Sequence, residues 1–288
     1  MEDRSREIAD FLRTRRARIT PARAGLPAEG RARRVPGLRR DEVARLAGVS
    51  TEYYTRLEQG RAHHPSPEVV EALARALRLD TSEREHLTDL LARPGAAARR
   101  TPSTPQRVRP GLHLMLHTPA HVPAFVLGRR TDVLAANRLA REVLTDFDAL
   151  PAARRNLARY YLLDPEARER VGDWDRVAAE TVAVLRLDAG RHPHDRQPAD
   201  LVGELTLACP EFSGWWNDHR VLRRTHGTKT YHHPLVGELT FAYESFQSPG
   251  DTDQTLCVYN VEPDSDTARN LELLTSWTAP APDAGFTA

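Results

Sequence analysis

His113, His117 and His121 recur at every fourth residue. On one unbroken helix that spacing lines three imidazoles along a face, where they could hold a zinc ion. Pro119 and Pro123 interrupt such a helix, and no cysteine or close carboxylate joins the set, so no metal site is expected. His192 and His194 fall in a polar stretch, and His232 and His233 alternate along an extended run, so that one of them faces inward. A Gly-rich phosphate loop, a nucleophile elbow and an HExxH pair are all missing. The acids are plentiful but not paired for acid–base work, and Cys257 reads as a core residue rather than a nucleophile. No catalysis is expected from this chain.

A different chemistry is written in Leu38–Pro65, LRRDEVARLAGVSTEYYTRLEQGRAHHP. Arg39–Ala47 carries Val43 and Leu46 on one side, with the small Ala44 beneath them. Gly48 can end that helix because it reaches positive φ easily. Ser50 is placed to N-cap a second helix, Thr51–Gln59, in which Tyr54, Leu57 and Glu58 fall three to four residues apart. This is a helix-turn-helix, whose second helix can enter a DNA major groove. Thr51, Glu52 and Arg56 then point outward as base readers. Arg56 can pair with guanine O6 and N7, worth about 1–3 kcal/mol of discrimination. Glu52 either accepts from cytosine N4 or holds Arg56 in an i,i+4 ion pair. Arg39, Arg40, Ser50, Tyr53 and Arg61 are placed for phosphates, with His63 and His64 close behind. Ten arginines between Arg13 and Arg40 face a single acid, Glu29, which suits a local phosphate-contacting surface.

The elements that must position these residues follow from the hydrophobic period. A first helix is expected at about Ser5–Ala17, with Ile8, Phe11 and Leu12 inward. Ser66-Pro67 and the capping box Asp80–Glu83 start two more helices, which completes an all-α domain over residues 1–93. Residues 94–110 contain four prolines and no apolar period, and read as a linker. From residue 111 to 278 the pattern is α+β. Short strands are expected at Ala124–Leu127 and Val133–Ala136. Helices are expected around Arg138–Leu144, Pro151–Leu163, Glu166–Arg186 and Ala199–Ala208. Extended runs follow at Thr228–His232, Glu238–Phe246 and Thr255–Val261, and a helix at Thr267–Trp277. Residues 279–288 read as a flexible tail. A strand pair, several helices and then three antiparallel strands is the order of a PAS-type sensor domain, which holds a small molecule between sheet and helices.

Net charge is +1, so any DNA contact is local rather than that of a general polycation. Neither a signal peptide nor a membrane-spanning run is expected. The two cysteines do not make a disulfide framework, which fits a reducing cytoplasm. Lys229 is the sole lysine among 41 basic residues, and it reads here as a mark of compositional bias rather than of mechanism.

The helix-turn-helix, with its LEQG ending, resembles the phage-repressor (XRE) type, though Tyr54 stands where that type usually has a β-branched aliphatic residue. The segments GLRRDEVARLAGVSTEYYTRLEQGR, PAFVLGRRTDVLAANRLA, RRNLARYYL, ACPEFSGWW and KTYHHPLVGELTFAYESF, in this order, resemble the MmyB-like regulators. The resemblance spans roughly residues 5 to 277. It implies a transcription factor with an XRE-type DNA-binding domain and a PAS-like domain for a small lipophilic molecule, one that could be fatty-acid-like; no other cofactor is implied.

For that molecule, Asn137, Arg155, Asn156, Trp215, Trp216, His219, Phe241 and Tyr243 offer apolar walls with a few polar anchors. The expected partner is double-stranded DNA at a pseudo-palindromic operator, bound by a homodimer in the cytoplasm and, when bound, at the nucleoid. The competing expectation is a DNA-binding regulator whose C-terminal domain is a dimerisation or protein-interaction platform without a ligand.

Overall fold

The computed structural model describes residues 2–26, 37–61, 65–92, 106–118, 121–192, 197–248 and 251–277. The arginines between 27 and 36, His63, His64, Pro119, His194, most of the expected linker and the expected tail lie outside the described residues.

Helices α1 (Glu2–Arg18), α2 (Arg40–Ala47), α3 (Thr51–Glu58), α4 (Pro67–Ala76) and α5 (Thr81–Leu91) follow the apolar period of the sequence. Ile8, Phe11, Leu12, Val43, Tyr54, Leu57, Leu73 and Leu87 close one apolar core. Burying each large side chain contributes about 1.5–3 kcal/mol. Gly48 ends α2 in the left-handed region at φ 68°. Asp80 and Glu83 form the reciprocal cap at the start of α5, the Asp80 carboxylate accepting from Glu83 N at 2.9 Å. One detail corrects the sequence reading: Leu46 is 38% exposed, and Ala47 is the residue that faces the core with Val43 and Ala44.

Beyond residue 106 come α6 (Pro110–His117), β1 (Ala124–Leu127), β2 (Val133–Ala136), α7 (Arg138–Val143), α8 (Leu157–Leu163), α9 (Pro165–Arg170), α10 (Trp174–Arg191), α11 (Gln197–Ala208) and α12 (Phe212–Asn217). The chain ends in β3 (His226–His233), β4 (Gly237–Ser248), β5 (Asp251–Asn260) and α13 (Asp266–Trp277). Two helical stretches differ from expectation. Pro151–Leu163 is a single 3-10 turn at Ala152–Arg154 followed by α8, because Asn156 adopts an extended backbone and caps that helix. Glu166–Arg186 breaks at Gly172-Asp173, where Asp173 takes φ 51°, so α9 and α10 are separate. Helix α12, in the aromatic segment FSGWWN, was not anticipated.

The five strands form one antiparallel sheet in the order β2-β1-β5-β4-β3, the α+β arrangement expected for this half. The register pairs Phe125 with Cys257, Tyr243 with Tyr259, Lys229 with Phe241 and Tyr231 with Leu239. These residues therefore share one face of the sheet. The opposite face meets Leu116 of α6 through Ala124, Val126 and Leu256.

By packing, the molecule falls into two compact units that do not follow chain order. The first comprises Met1–Pro102, Val182–Thr206 and Pro210–Arg223; the second comprises Ser103–Thr181, Leu207–Cys209 and Arg224–Ala288. Within the first unit the second half of α10 packs on the N-terminal helices. Leu187 and Val221 join their core. A Cβ on Gly190 would lie 2.4 Å from the His86 ring, so this close approach requires glycine. Arg186 donates to the Glu7 carboxylate and to the carbonyl of Trp216, and lies over the Trp216 ring at 4.0 Å. Burial pushes Glu7 upward, but the His219 ring and Arg186 outweigh it and hold the carboxyl at about 2. Burial brings His86 down to about 4.

Candidate functional site

In the first unit, the helix pair α2–α3 is fixed from beneath. The Ser50 hydroxyl accepts from Tyr53 N at 3.1 Å, which starts α3 where the sequence placed its cap. Tyr54 and Leu57 are fully buried, which leaves Thr51, Glu52 and Arg56 exposed along one side of α3. Tyr53 is half-buried and Arg61 exposed. Under the pair sits an ion cluster that the sequence did not announce. The Glu58 carboxylate accepts from Arg16 Nε at 2.7 Å and Nη2 at 2.9 Å, and from Arg40 Nε at 2.9 Å. Arg16 Nη1 also donates to the carbonyl of Leu38 at 2.7 Å, so α1, α2 and α3 are tied through one acid. Burial opposes the charge on Glu58, but the hydrogen bonds and charge of Arg16 hold its carboxyl below the usual range. Arg40, expected at phosphates, thus also serves the fold, with 47% of its side chain still exposed. The Arg39 backbone N–H donates to the Glu42 carboxylate at 2.7 Å. Arg45, which the sequence reading passed over, is exposed on α2.

In the second unit, the shared sheet face carries polar groups in a buried setting. Tyr161 of α8 and Tyr231 of β3 meet hydroxyl to hydroxyl at 2.7 Å, and Tyr231 meets Tyr259 of β5 at 3.0 Å. Lys229 Nζ donates to the Tyr161 hydroxyl at 3.0 Å. Phe241 and Tyr243 flank the row, their rings 5.5 and 6.2 Å from that of Tyr259. Gly227 (φ 157°) lies under Tyr243, whose hydroxyl would sit 2.8 Å from a Cβ there. Burial pushes all three tyrosines of the row upward and, helped by nearby Arg224, brings Lys229 well below the ordinary lysine range. The row consists of proton donors and acceptors that can reverse direction, with aromatic walls around them.

The sequence matches the family described as MmyB-like transcription regulator ligand binding domain over residues 108–274, and the one described as helix-turn-helix domain over residues 7–87. The first match alone spans more than half of the chain. The chain belongs to the MmyB-like transcription regulators. No curated protein matches it significantly. It is therefore a DNA-binding transcription regulator, built from a helical N-terminal region and an α+β ligand-binding domain. Among the described residues, no helix is long and apolar enough to cross a membrane, and no group of three potential metal ligands occurs. Helix α6 ends at His117, short of His121.

The residues anticipated for the ligand of this MmyB-like regulator do not all serve one surface. Asn137 Oδ1 accepts from Ala140 N at 2.9 Å and Ala124 N at 3.0 Å, and its Nδ2 donates to the carbonyl of Val122, so it caps α7 and ties it to β1. Asn156 caps α8 in the same manner, accepting from Arg159 N at 3.0 Å and donating to the carbonyl of Arg130. Arg155 donates to the carbonyls of Leu150 and Asp148 on the surface. Trp215, Trp216 and His219 belong to the first unit, where His219 Nδ1 stands 3.6 Å from Glu7. Phe241 and Tyr243 do lie on the inner sheet face. Lys229, Tyr231, Tyr259 and Arg224, which share that face or stand beside it, were missed. The signal was available in Lys229-Thr-Tyr231, an alternation that puts both side chains on one face, and in the singular lysine.

Proposed function

We propose that this regulator reads its operator through Thr51, Glu52 and Arg56, and that its C-terminal domain tunes DNA binding by taking up a small lipophilic molecule. Support for the first part is the exposure of these three side chains on a helix whose other side is locked by Tyr54 and Leu57. Arg39, Arg40, Ser50, Tyr53 and Arg61 act on phosphates, and positive charge there contributes affinity without sequence information. The regulator works as a homodimer on a pseudo-palindromic site in the cytoplasm, with no catalysis of its own. Its ligand shifts DNA occupancy through different affinities for two states. Titration of operator and scrambled duplexes tests the DNA assignment. Arg56→Ala should lose discrimination, by about 1–3 kcal/mol, whereas Arg40→Ala should weaken both duplexes alike. An Arg56→Ala protein with unchanged discrimination removes Arg56 from base reading.

The ligand part rests on the inner sheet face, where a lysine and three hydroxyls are buried among aromatic rings. Native mass spectrometry of gently purified protein reads dimer mass and retained small molecule together. A specific observation favours the platform alternative: Leu114 and Met115 of α6 are well exposed, as an association surface would be. A dimer without any retained or stabilising small molecule would favour that reading.

A further inference from the structure

By family match, Val182–Thr206 and Pro210–Arg223 belong to the ligand-binding half of the chain, yet both pack with the DNA-binding helices in the first unit. Their seat is the side of α1 and α5 that carries charge. Arg186 donates to the Glu7 carboxylate of α1. Arg15 of α1, 2% exposed, donates to the carbonyl of His219 and stands 3.1 Å from Glu83 of α5. Arg18 donates to the carbonyl of Asp218 at 3.0 Å. Arg223 pairs with Glu85 of α5 at 2.6 Å.

This contact is buried but poorly sealed. Arg15 Nε, both ring nitrogens of His86, Arg186 Nε, His219 Nδ1 and Arg223 Nε are buried with no hydrogen-bond partner among the described residues. His219 also holds a left-handed backbone at φ 51°, which costs energy in a residue other than glycine. Unpaired polar atoms lose their water on burial and gain it back when a surface parts. A contact built this way is stabilised far less than its buried area suggests, so it parts at lower cost than the apolar core beside it.

Consecutive residues of α1 connect this contact to the recognition helix. Arg15 holds the carbonyl of His219, and Arg16 holds Glu58 at the end of α3 through Nε at 2.7 Å. The seated stretches leave Thr51, Glu52 and Arg56 exposed, so they do not mask the reading surface. What they control is the position of the last turn of α1, and with it the acid that ties down α3.

We propose that the second half of α10, with the stretch Pro210–Arg223, is a releasable brace for the DNA-binding helices, in which Glu7 and Arg15 are positioning residues. Seated, the brace fixes the end of α1 and, through Arg16 and Glu58, the pose of α3. Lifted, it leaves α3 folded but loosely posed, and DNA affinity falls. The inference goes beyond the operator and ligand readings above and requires neither a particular base contact nor a ligand.

The test is a wedge in the full chain. A Cβ on Gly190 would lie 2.4 Å from the His86 ring, which is fully buried and packed edge-on against Phe11. Gly190→Ala should therefore lift the brace without removing a polar group, and alanine favours helix over glycine, so α10 itself is not weakened. His86→Ala in the same chain makes room for the new methyl group and should restore the contact. Arg186→Met, which strips Glu7 of its partner without adding bulk, lifts the brace by a second route. Hydrogen exchange of α5 and of residues 183–191 reads the lifting; titration of an operator duplex selected from a random pool reads affinity. Gly190→Ala and Arg186→Met should speed exchange at both places and lower affinity by about 5–150-fold, the usual span of coupling between sites. The Gly190→Ala, His86→Ala chain should return toward the parent in both readouts, and α3 should keep its protection throughout. Faster exchange with unchanged or higher affinity overturns the proposal, as does lost protection of α3, which would mean unfolding rather than repositioning. Parent-like exchange in both single variants overturns it too, because the contact would then not be releasable.

Discussion

Replacing Glu58 by glutamine should destabilise the first unit far more than removing Arg40. Glu58 is 1% exposed and holds Arg16, itself 11% exposed, through two short hydrogen bonds. Two charges about 4 Å apart attract by about 4 kcal/mol at an effective dielectric constant near 20. Removing one partner of a buried pair costs about 3–5 kcal/mol, because the other charge is left behind. Glutamine keeps one acceptor, so Glu58→Gln should cost about 2–4 kcal/mol. Arg40 is nearly half exposed, so its share is screened and Arg40→Ala should cost no more than about 1 kcal/mol. Two packing units make whole-chain melting hard to interpret, and hydrogen exchange resolved by peptide avoids this. The slowest amides of α1 and α3 should lose protection by the larger amount in Glu58→Gln. They should lose little in Arg40→Ala, while the β-sheet amides change in neither. Losses below about 0.5 kcal/mol for Glu58→Gln, or equal losses for the two variants, would refute the argument that this acid ties the three helices together.

Two further outcomes follow from the same unit. Gly48 and Gly60 both lie in the left-handed region, at φ 68° and 66°, but a Cβ on Gly48 meets nothing whereas one on Gly60 would lie 2.4 Å from the Ser5 carbonyl oxygen. Gly48→Ala should therefore cost only the backbone strain, about 1–2 kcal/mol, and Gly60→Ala distinctly more; exchange protection of α1 measures both, and equal losses would contradict the close packing. Acid should weaken the first unit in two steps. His86 falls from an ordinary 6.5 to about 4 on folding and Glu7 from 4.5 to about 2, so for each the unfolded chain takes the proton first. Stability is then full above about pH 6.5 and is lost first toward pH 4 through His86, then toward pH 2 through Glu7. Urea titrations at pH 7.5 and 5 should differ, and His86→Phe should remove most of that difference.

How much of this was legible beforehand depends on whether a residue's role is local. The turn at Gly48, the Ser50 cap, the Asp80–Glu83 box and the burial of Tyr54 and Leu57 are decided within a turn or two of helix, so residue type and spacing determined them. Alternation in the C-terminal runs determined the strands for the same reason, and it placed Phe241 and Tyr243 on the buried side. The outward side of α3 followed from the inward one. What spacing cannot convey is which distant residues share a face. Glu58 meets Arg16 across 42 positions, and Tyr161 meets Tyr231 across 70. Both contacts arise from helix and strand packing that no local pattern encodes. Asn137, at the end of a strand beside a helix start, reads from the sequence as either a ligand anchor or a helix cap, and Asn156 as an anchor; the fold shows backbone N–H and C=O groups engaging both amides. Lys229 carried the reverse lesson. Its singularity was plain in the sequence, but a singular residue gains meaning only from its neighbours, and the packing of α8 on the sheet set its amine against the buried Tyr161 hydroxyl rather than in water.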